Sequence, residues 1–315
     1  MLGPMLRRSG DVVRPHLVVM SYRGGDRFRR CLTSIEGAEN FFDRIIISVT
    51  APPNSTDEAL AREWVASTGS KAEVLWTGAE LPTMEHQAFW VDYLETTGVR
   101  ASEWIYWLAY DDQVFERGIA DIVDTHGSWP LKDGTAYFGP WAMRHESPDA
   151  VLPGTWSEPL ETWTAFPLEG PTRLPVLTWV GQQLRQPTYM QMSGSVCSFS
   201  SYLEVRDGHP RKRGPMRIEM ATALATRNDF VAEFDQPVSI IYGRPNSDRA
   251  SYGSAARSED THLALWAGRY ARTSVHRTRL LAQEARKLAA HRLAVRTGRA
   301  EQRTEDWVVR GMVAP

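Results

Sequence analysis

Short, nearly unbroken apolar runs alternate along the first half of the chain with segments whose apolar positions recur every three or four residues. Residues 16–20 (HLVVM), 44–50 (RIIISVT), 72–76 (AEVLW), 104–110 (WIYWLAY) and 135–141 read as strands. The β-branched run at 44–50 and the apolar run at 104–110 predict burial on both faces of a sheet. Between the strands, residues 26–36 place Phe28, Cys31, Leu32 and Ile35 on one helical face. Ser55, Thr56, Asp57 and Glu58 fit a capping box that opens a helix running to about Ser67. A third helix is predicted over 83–97, stopped by Gly98.

The second half is less regular. Residues 142–175, rich in Pro, Trp, Glu and Thr, predict an irregular insertion or a loop over a site. Helices are expected at 175–185 and at 215–227, the latter with Pro215 at its start. Residues 189–199 read as extended, and 230–242 hold one or two strands. Residues 259–296 are helical in pattern and strongly basic. Strands alternating with helices predict an α/β fold: a mainly parallel, Rossmann-like sheet flanked by helices, with an irregular later segment and a C-terminal helical extension. In such sheets ligands bind beyond the carboxyl ends of the strands.

Charge refines this picture. The chain carries a formal net charge of −2, yet residues 269–310 hold 11 Lys/Arg against four Asp/Glu, so the remainder is acidic. A basic tail on an acidic body predicts contact with an anionic surface or another subunit, and no nucleic-acid motif accompanies it. No apolar stretch is long enough to span a bilayer. The expected location is the cytosol, with the basic segment able to lie on the inner face of a membrane. Cys31 and Cys197 are the only cysteines, which predicts reduced core residues and excludes a multi-cysteine zinc site.

Asp111 and Asp112 directly follow the 104–110 strand. A buried strand would deliver both carboxylates to the ligand-binding edge, where Mg²⁺ or Mn²⁺ typically takes one or two carboxylates plus substrate phosphates. The other reading is that one aspartate caps the following helix and its neighbour is solvated. Ser21, Tyr22 and Arg23 follow the first strand; tyrosine can stack on a base and arginine can meet diphosphate, and an ordinary strand-to-helix turn is equally compatible with Gly24 and Gly25. Asp57 can reach a nucleotide or serve its capping box. Glu85, His86 and Gln87 open the third helix, where a ligand contact competes with simple helix-start chemistry. His209, the 211–213 run (Arg-Lys-Arg) and His262 suit phosphate or metal contact as well as ordinary surface roles. Trp141, Trp156, Trp163 and Trp179 can stack on sugars, but tryptophans are mostly core residues.

The ordered set of segments resembles glycosyltransferase family 2 and its relatives with the glycosyltransferase A (GT-A) fold, over about residues 15–245. LVVMSYRGGDRFRRCLTSI looks like that family's opening strand, loop and helix; IIISVTAPPNSTDEA like its second strand and turn; WIYWLAYDDQVF like its metal-aspartate strand. MSGSVCSFSSYLEVRDGHPRKRGPMRIEMATALA looks like its acceptor-side segment. The resemblance implies a catalytic domain over 12–245, with a nucleotide-sugar half at 12–141 and an acceptor half at 142–245, followed by the basic extension at 246–315. It implies Mn²⁺ or Mg²⁺ on Asp112, donor contacts from Ser21, Tyr22, Arg23, Asp57, Gln87 and Asp111, and Glu219 as catalytic base. The implied reaction is inverting transfer of a sugar from a nucleotide-diphosphate donor to a hydroxyl on a glycan or lipid-linked acceptor. The departures are specific. Tyr110 precedes the aspartates where the family has Asp-x-Asp, Thr50-Ala51-Pro52-Pro53 replaces a base-reading acid, and Glu219 stands where aspartate is common. A nucleotidyltransferase of the same broad fold would need a richer basic glycine loop than residues 21–26 supply. A non-catalytic module of this fold remains a third alternative.

Overall fold

The computed structural model of the chain describes residues 13–52, 55–145, 161–163, 173–176, 178–179, 192–208 and 224–243. The first strands form where the sequence predicts them. They are β1 (His16–Ser21), β2 (Ile45–Val49), β3 (Glu73–Trp76) and β4 (Trp104–Ala109). All residues of β1, β2 and β4 are buried, as expected for strands covered on both faces. Helices α1 (Asp26–Thr33), α2 (Thr56–Thr68) and α3 (Thr83–Thr96) connect them, and α4 (Glu116–His126) follows β4 after the two-residue strand β5 (Gln113–Val114). Half of the predicted capping box is present. Ser55 Oγ accepts the Glu58 N–H at 3.4 Å, while the Glu58 carboxylate turns to Arg62 Nε at 2.8 Å and the Ser55 N–H donates to the Pro52 carbonyl.

β6 (Thr135–Tyr137), β9 (Arg173–Pro175), β10 (Ser195–Ser198) and β11 (Phe230–Ala232) complete an eight-stranded sheet in the order β3-β2-β1-β4-β10-β6-β11-β9. β1 pairs in parallel with both β2 and β4, and β10 runs antiparallel to β4. Strand order therefore reverses between β1 and β4: the chain leaves β1 toward β3 and returns to β4 on the other side. Alternation along the strands splits the core into two layers. Val18, Met20 and Trp107 pack with Trp90, Val91 and Leu94 of α3 on one face; Leu17, Val19, Tyr106 and Leu108 pack with Phe28, Cys31 and Leu32 of α1 on the other. Both cysteines are buried and unpaired, in line with expectation.

A second sheet has the order β5-β12-β7-β8, built from β7 (Trp141–His145), β8 (Glu161–Trp163) and β12 (Ser239–Gly243). This corrects the single strand expected at 135–141. Gly139 has φ of 64° and Pro140 has no N–H to give a ladder, so the segment breaks into β6 in the large sheet and β7 in the small one. Within the segment 142–175, expected to be irregular, the described parts are strands, and the remainder lies outside the described residues. The 230–242 stretch divides between the two sheets. Helix α5 (Phe199–Gly208), which no pattern announced, follows β10 and packs on α3, where Arg206 meets Asp92 at 2.7 Å and Glu95 at 2.6 Å. The helices expected at 215–227 and 259–296 lie wholly or mostly outside the described residues, as does most of 175–185. No described helix is long and apolar enough to cross a membrane.

Candidate functional site

The carboxyl ends of β1 and β4 meet at the point where strand order reverses, the location at which open α/β sheets form a binding crevice. The Tyr110 N–H donates to the Met20 carbonyl at 3.1 Å and ties the two ends together. Beyond Ala109 the chain makes a tight turn closed by the Asp112 N–H on the Ala109 carbonyl at 3.1 Å. Asp111 sits within the turn and Asp112 at its base, 8% and 3% exposed. Buried carboxylates need partners. Asp112 Oδ2 accepts the Ser193 hydroxyl at 2.5 Å, and its Oδ1 accepts the Tyr242 N–H at 3.3 Å. Tyr242 is further held by its hydroxyl on Gln113 Oε1 at 2.5 Å and by the Arg30 guanidinium, 3.7 Å above its ring. Beneath the pair, burial in the first place and then the charges of Asp112 and Asp111 push the Cys31 thiol well up. Cys31 is therefore a protonated core residue and no nucleophile.

The loop from β1 to α1 faces this turn. Asp57, fully buried at the start of α2, accepts the Ser21 hydroxyl at 2.5 Å, the Gly24 N–H at 2.7 Å and the Gly25 N–H at 3.0 Å. Its carboxylate shapes the loop from inside, and Ser21 is itself fully buried. Gly24 lies against the Tyr110 ring: a Cβ there would stand 2.5 Å from Tyr110 Cδ2 and 2.7 Å from Phe28 Cβ. Tyr22 points outward as the one exposed large hydrophobic residue among those described. Arg23, the one described non-glycine with positive φ (50°), donates through Nε and Nη2 to Glu80 Oε1, the Nε contact at 2.7 Å. That ion pair joins the β1–α1 loop to the loop between β3 and α3.

At the end of β2 the Thr50 side chain is buried and engaged within the protein. Its hydroxyl accepts the Leu81 N–H at 2.6 Å and donates to the Ala79 carbonyl at 3.1 Å. At the start of α3, His86 is buried with Nε2 2.8 Å from Ser48 Oγ, and burial lowers its pKa to about 4. Gln87 is fully buried, and neither amide atom has a hydrogen-bond partner among the described residues. One turn further on, Trp90 Nε1 donates to Met20 Sδ at 3.3 Å. Because α3 runs back against the strands, Gln87 lies nearer the carboxyl edge than Trp90 does.

The structure thus brings Ser21, Tyr22, Arg23, Asp57, Asp111 and Asp112 to one sheet edge, with Tyr22 and Arg23 outward and Ser21 and Asp57 inward. Trp141 and Trp179 are core residues at 1% exposure. Glu219, His209, residues 211–213, His262 and Trp156 lie outside the described residues. No group of three or more His, Cys, Asp or Glu among the described residues can hold a metal by itself. Two adjacent carboxylates, of which Asp112 has both oxygens held by protein donors, do fit a hard cation that draws its other ligands from phosphate and water. Ser193 and the Tyr242 N–H were not anticipated. Ser193 is 81 residues from Asp112, and a lone serine carries no pattern.

No family model matches the chain, and no curated protein matches it. Solved structures do. S. aureus TarS 1-349 in complex with UDP-GlcNAc is 12% identical, with 87% of this chain and 72% of that chain covered and a TM-score of 0.54. The same fragment in complex with UDP gives 11%, 87%, 71% and 0.52 in the same order. A longer S. aureus TarS chain, 9% identical, is matched over 87% of this chain and 43% of that one, with a TM-score of 0.51. The parallel sheet reversing between β1 and β4, the carboxylate turn at that reversal and this likeness together identify the fold of the chain as glycosyltransferase A.

Proposed function

We propose that the protein is a glycosyltransferase that moves a sugar from a nucleotide-diphosphate donor to an acceptor hydroxyl. The observation that carries this reading is the Asp111–Asp112 turn at the reversal point of a GT-A sheet, facing a loop that presents Tyr22 and Arg23. The neighbour of like fold, S. aureus TarS 1-349, was solved with UDP-GlcNAc and with UDP, which makes a uridine nucleotide the first donor to test. Tyr22 offers a ring face to the base, and Arg23 offers N–H donors to the diphosphate. Asp111 and Asp112 would hold Mn²⁺ or Mg²⁺, with the Asp112 carboxylate set in place by Ser193 and the Tyr242 N–H. Such an ion neutralises charge on the departing diphosphate.

Transfer is a single displacement with inversion. The acceptor oxygen bonds to the anomeric carbon as the bond from that carbon to the diphosphate oxygen breaks, and Glu219 takes the hydroxyl proton. Glu219 is assigned from its place in the acceptor-side segment. The acceptor is a glycan or a lipid-linked molecule, and the basic segment of residues 259–296 supplies a contact for an anionic membrane.

A calorimetric panel of UDP, other nucleoside diphosphates and UDP-sugars, with and without Mn²⁺, tests the reading. A true donor at about 100 times its dissociation constant adds roughly 2.7 kcal/mol of stability. Metal-dependent binding that Asp112→Asn abolishes is the expected result, with Asp111→Asn measured separately. No nucleotide binding under any metal condition would sink the proposal.

A further inference from the structure

The carboxylate of Asp112 is oriented from behind by a residue of the later segment. Ser193 is fully buried in a turn closed by the Ser195 N–H on the Met192 carbonyl at 2.8 Å. Its hydroxyl donates to Asp112 Oδ2 at 2.5 Å and accepts the Ala109 N–H at 3.1 Å, so it is held from both sides. The turn cannot drift. The Gly194 N–H donates to the Trp107 carbonyl at 2.9 Å, and the Ser239 hydroxyl donates to the Ser193 carbonyl at 3.0 Å. Gly194 has φ of 83°, and a Cβ there would stand 2.5 Å from Ser239 Oγ. The second Asp112 oxygen is fixed by β12 through the Tyr242 N–H at 3.3 Å. One carboxylate is thereby held by the turn before β10 and by the small sheet.

We propose that Ser193 is a positioning residue that sets the orientation of the Asp112 carboxylate for divalent-cation binding. This rests on the proposed function, in which Asp112 is a metal ligand. A carboxylate free to rotate spreads its oxygens over many directions, and most of them face no ion. A hydroxyl pinned between the Ala109 N–H and Oδ2 holds the carboxylate in one rotamer. Partners of this kind typically matter by about 10- to 100-fold in metal affinity. Because Ser193 sits where the later half of the chain joins the sheet, the clamp also makes the metal site depend on the docking of that half.

Mn²⁺ binding in the presence of UDP, followed by the paramagnetic resonance signal of free Mn²⁺, tests the clamp without measuring turnover. Ser193→Ala is expected to raise the Mn²⁺ dissociation constant by about 10- to 100-fold. Ser201→Ala deletes a buried hydroxyl of α5 that accepts from Asn228 Nδ2 at 3.2 Å, beyond the opposite end of β10 from Ser193. It is expected to lower the melting temperature comparably and to leave Mn²⁺ affinity at the wild-type level. If Ser193→Ala does not fold, Ser193→Cys takes its place with the same expectation, since a thiol donates only weakly. Unchanged Mn²⁺ affinity in the Ser193 variant, or an equal loss in Ser201→Ala, overturns the clamp. Asp112→Asn separates the two levels. If it loses Mn²⁺ while the Ser193 variant keeps it, the clamp alone falls; if it keeps Mn²⁺, Asp112 is no ligand and both assignments fall.

Discussion

The Ser21 hydroxyl donates to Asp57 Oδ2 at 2.5 Å, so two residues that the sequence offers as nucleotide contacts face each other inside the protein. Asp57 also accepts the Gly24 and Gly25 N–H groups, at 2.7 and 3.0 Å. Its carboxylate substitutes for the backbone partners that a strained strand-to-helix loop lacks. Asp57→Ala would leave these donors unsatisfied and is expected to destabilise the ligand-free protein by on the order of 3 kcal/mol. Urea unfolding without nucleotide measures this. A stability within experimental error of wild type, combined with lost nucleotide affinity, would return Asp57 to the role of direct ligand.

Gly24 has no room for a side chain because the Tyr110 ring occupies the place of its Cβ. Gly24→Ala must displace either the ring or the loop, and both border the crevice. Overpacking of this kind costs about 1–3 kcal/mol. UDP binding is expected to weaken along with stability, and Tyr110→Ala in the same chain should restore part of the stability by making space. A Gly24→Ala protein as stable as wild type would show that the loop is looser than the contact distances imply.

His86 gives the protein a defined acid sensitivity. Burial lowers its folded-state pKa to about 4 from the ordinary 6.5, and the hydrogen bond to Ser48 offsets only part of this. Between these values the unfolded chain binds the proton and the folded chain does not, so stability falls as pH falls. The contribution is complete above about pH 6.5 and is lost progressively toward pH 4, amounting to roughly 3 kcal/mol. Burial lowers the pKa of His16 as well, which adds to the loss in the same direction. Glu73 and Glu103, held below 4.5 by their hydrogen bonds and ion pairs despite burial, act only at lower pH. Urea midpoints of wild type and His86→Gln between pH 4 and 7 test this: the variant should show the shallower slope, and parallel curves would remove His86 as the source.

Most of the parallel half was legible because buried strands write themselves as apolar runs, and β1, β2, β3 and β4 fall within a residue or two of their expected bounds. The aspartate pair was legible for the same reason, standing at the end of such a run. The later half was not. β6 and β7 read as one strand because apolar pattern does not record which sheet a strand joins, and only Gly139 and Pro140 marked the break. β8 and β9 are three residues each, too short for periodicity to register. Orientation was the other hidden quantity. Nothing in the order of residues says that Ser21 turns toward Asp57 while Tyr22 turns to solvent, or that Gln87 is fully buried beneath the edge it was expected to line. The hold of Ser193 on Asp112 spans 81 positions and exists only once β10 has docked beside β4.

Arg23 is expected to exchange partners when an anion enters the crevice. Its guanidinium is directed at Glu80, and both side chains are substantially solvent-exposed, at 64% and 36%. Water weakens such a pair, so a diphosphate, with more charge and more acceptor oxygens, competes well for the same N–H donors. The left-handed backbone at Arg23 is a conformation that arginine rarely adopts, and it is retained at the loop that borders the aspartate turn. Glu80→Gln removes the competing charge and is expected to tighten UDP binding by a few-fold, at about the scale of one exposed ion pair. Arg23→Gln should weaken UDP binding by on the order of tenfold through the lost charge-assisted contacts. The double variant decides the matter, because Glu80 acts here only through Arg23 and the pair should be non-additive. Titration calorimetry at low salt should find Arg23→Gln/Glu80→Gln no tighter than Arg23→Gln alone. If Glu80→Gln tightens UDP binding equally in both backgrounds, Glu80 repels the nucleotide directly and Arg23 is not the residue that it restrains.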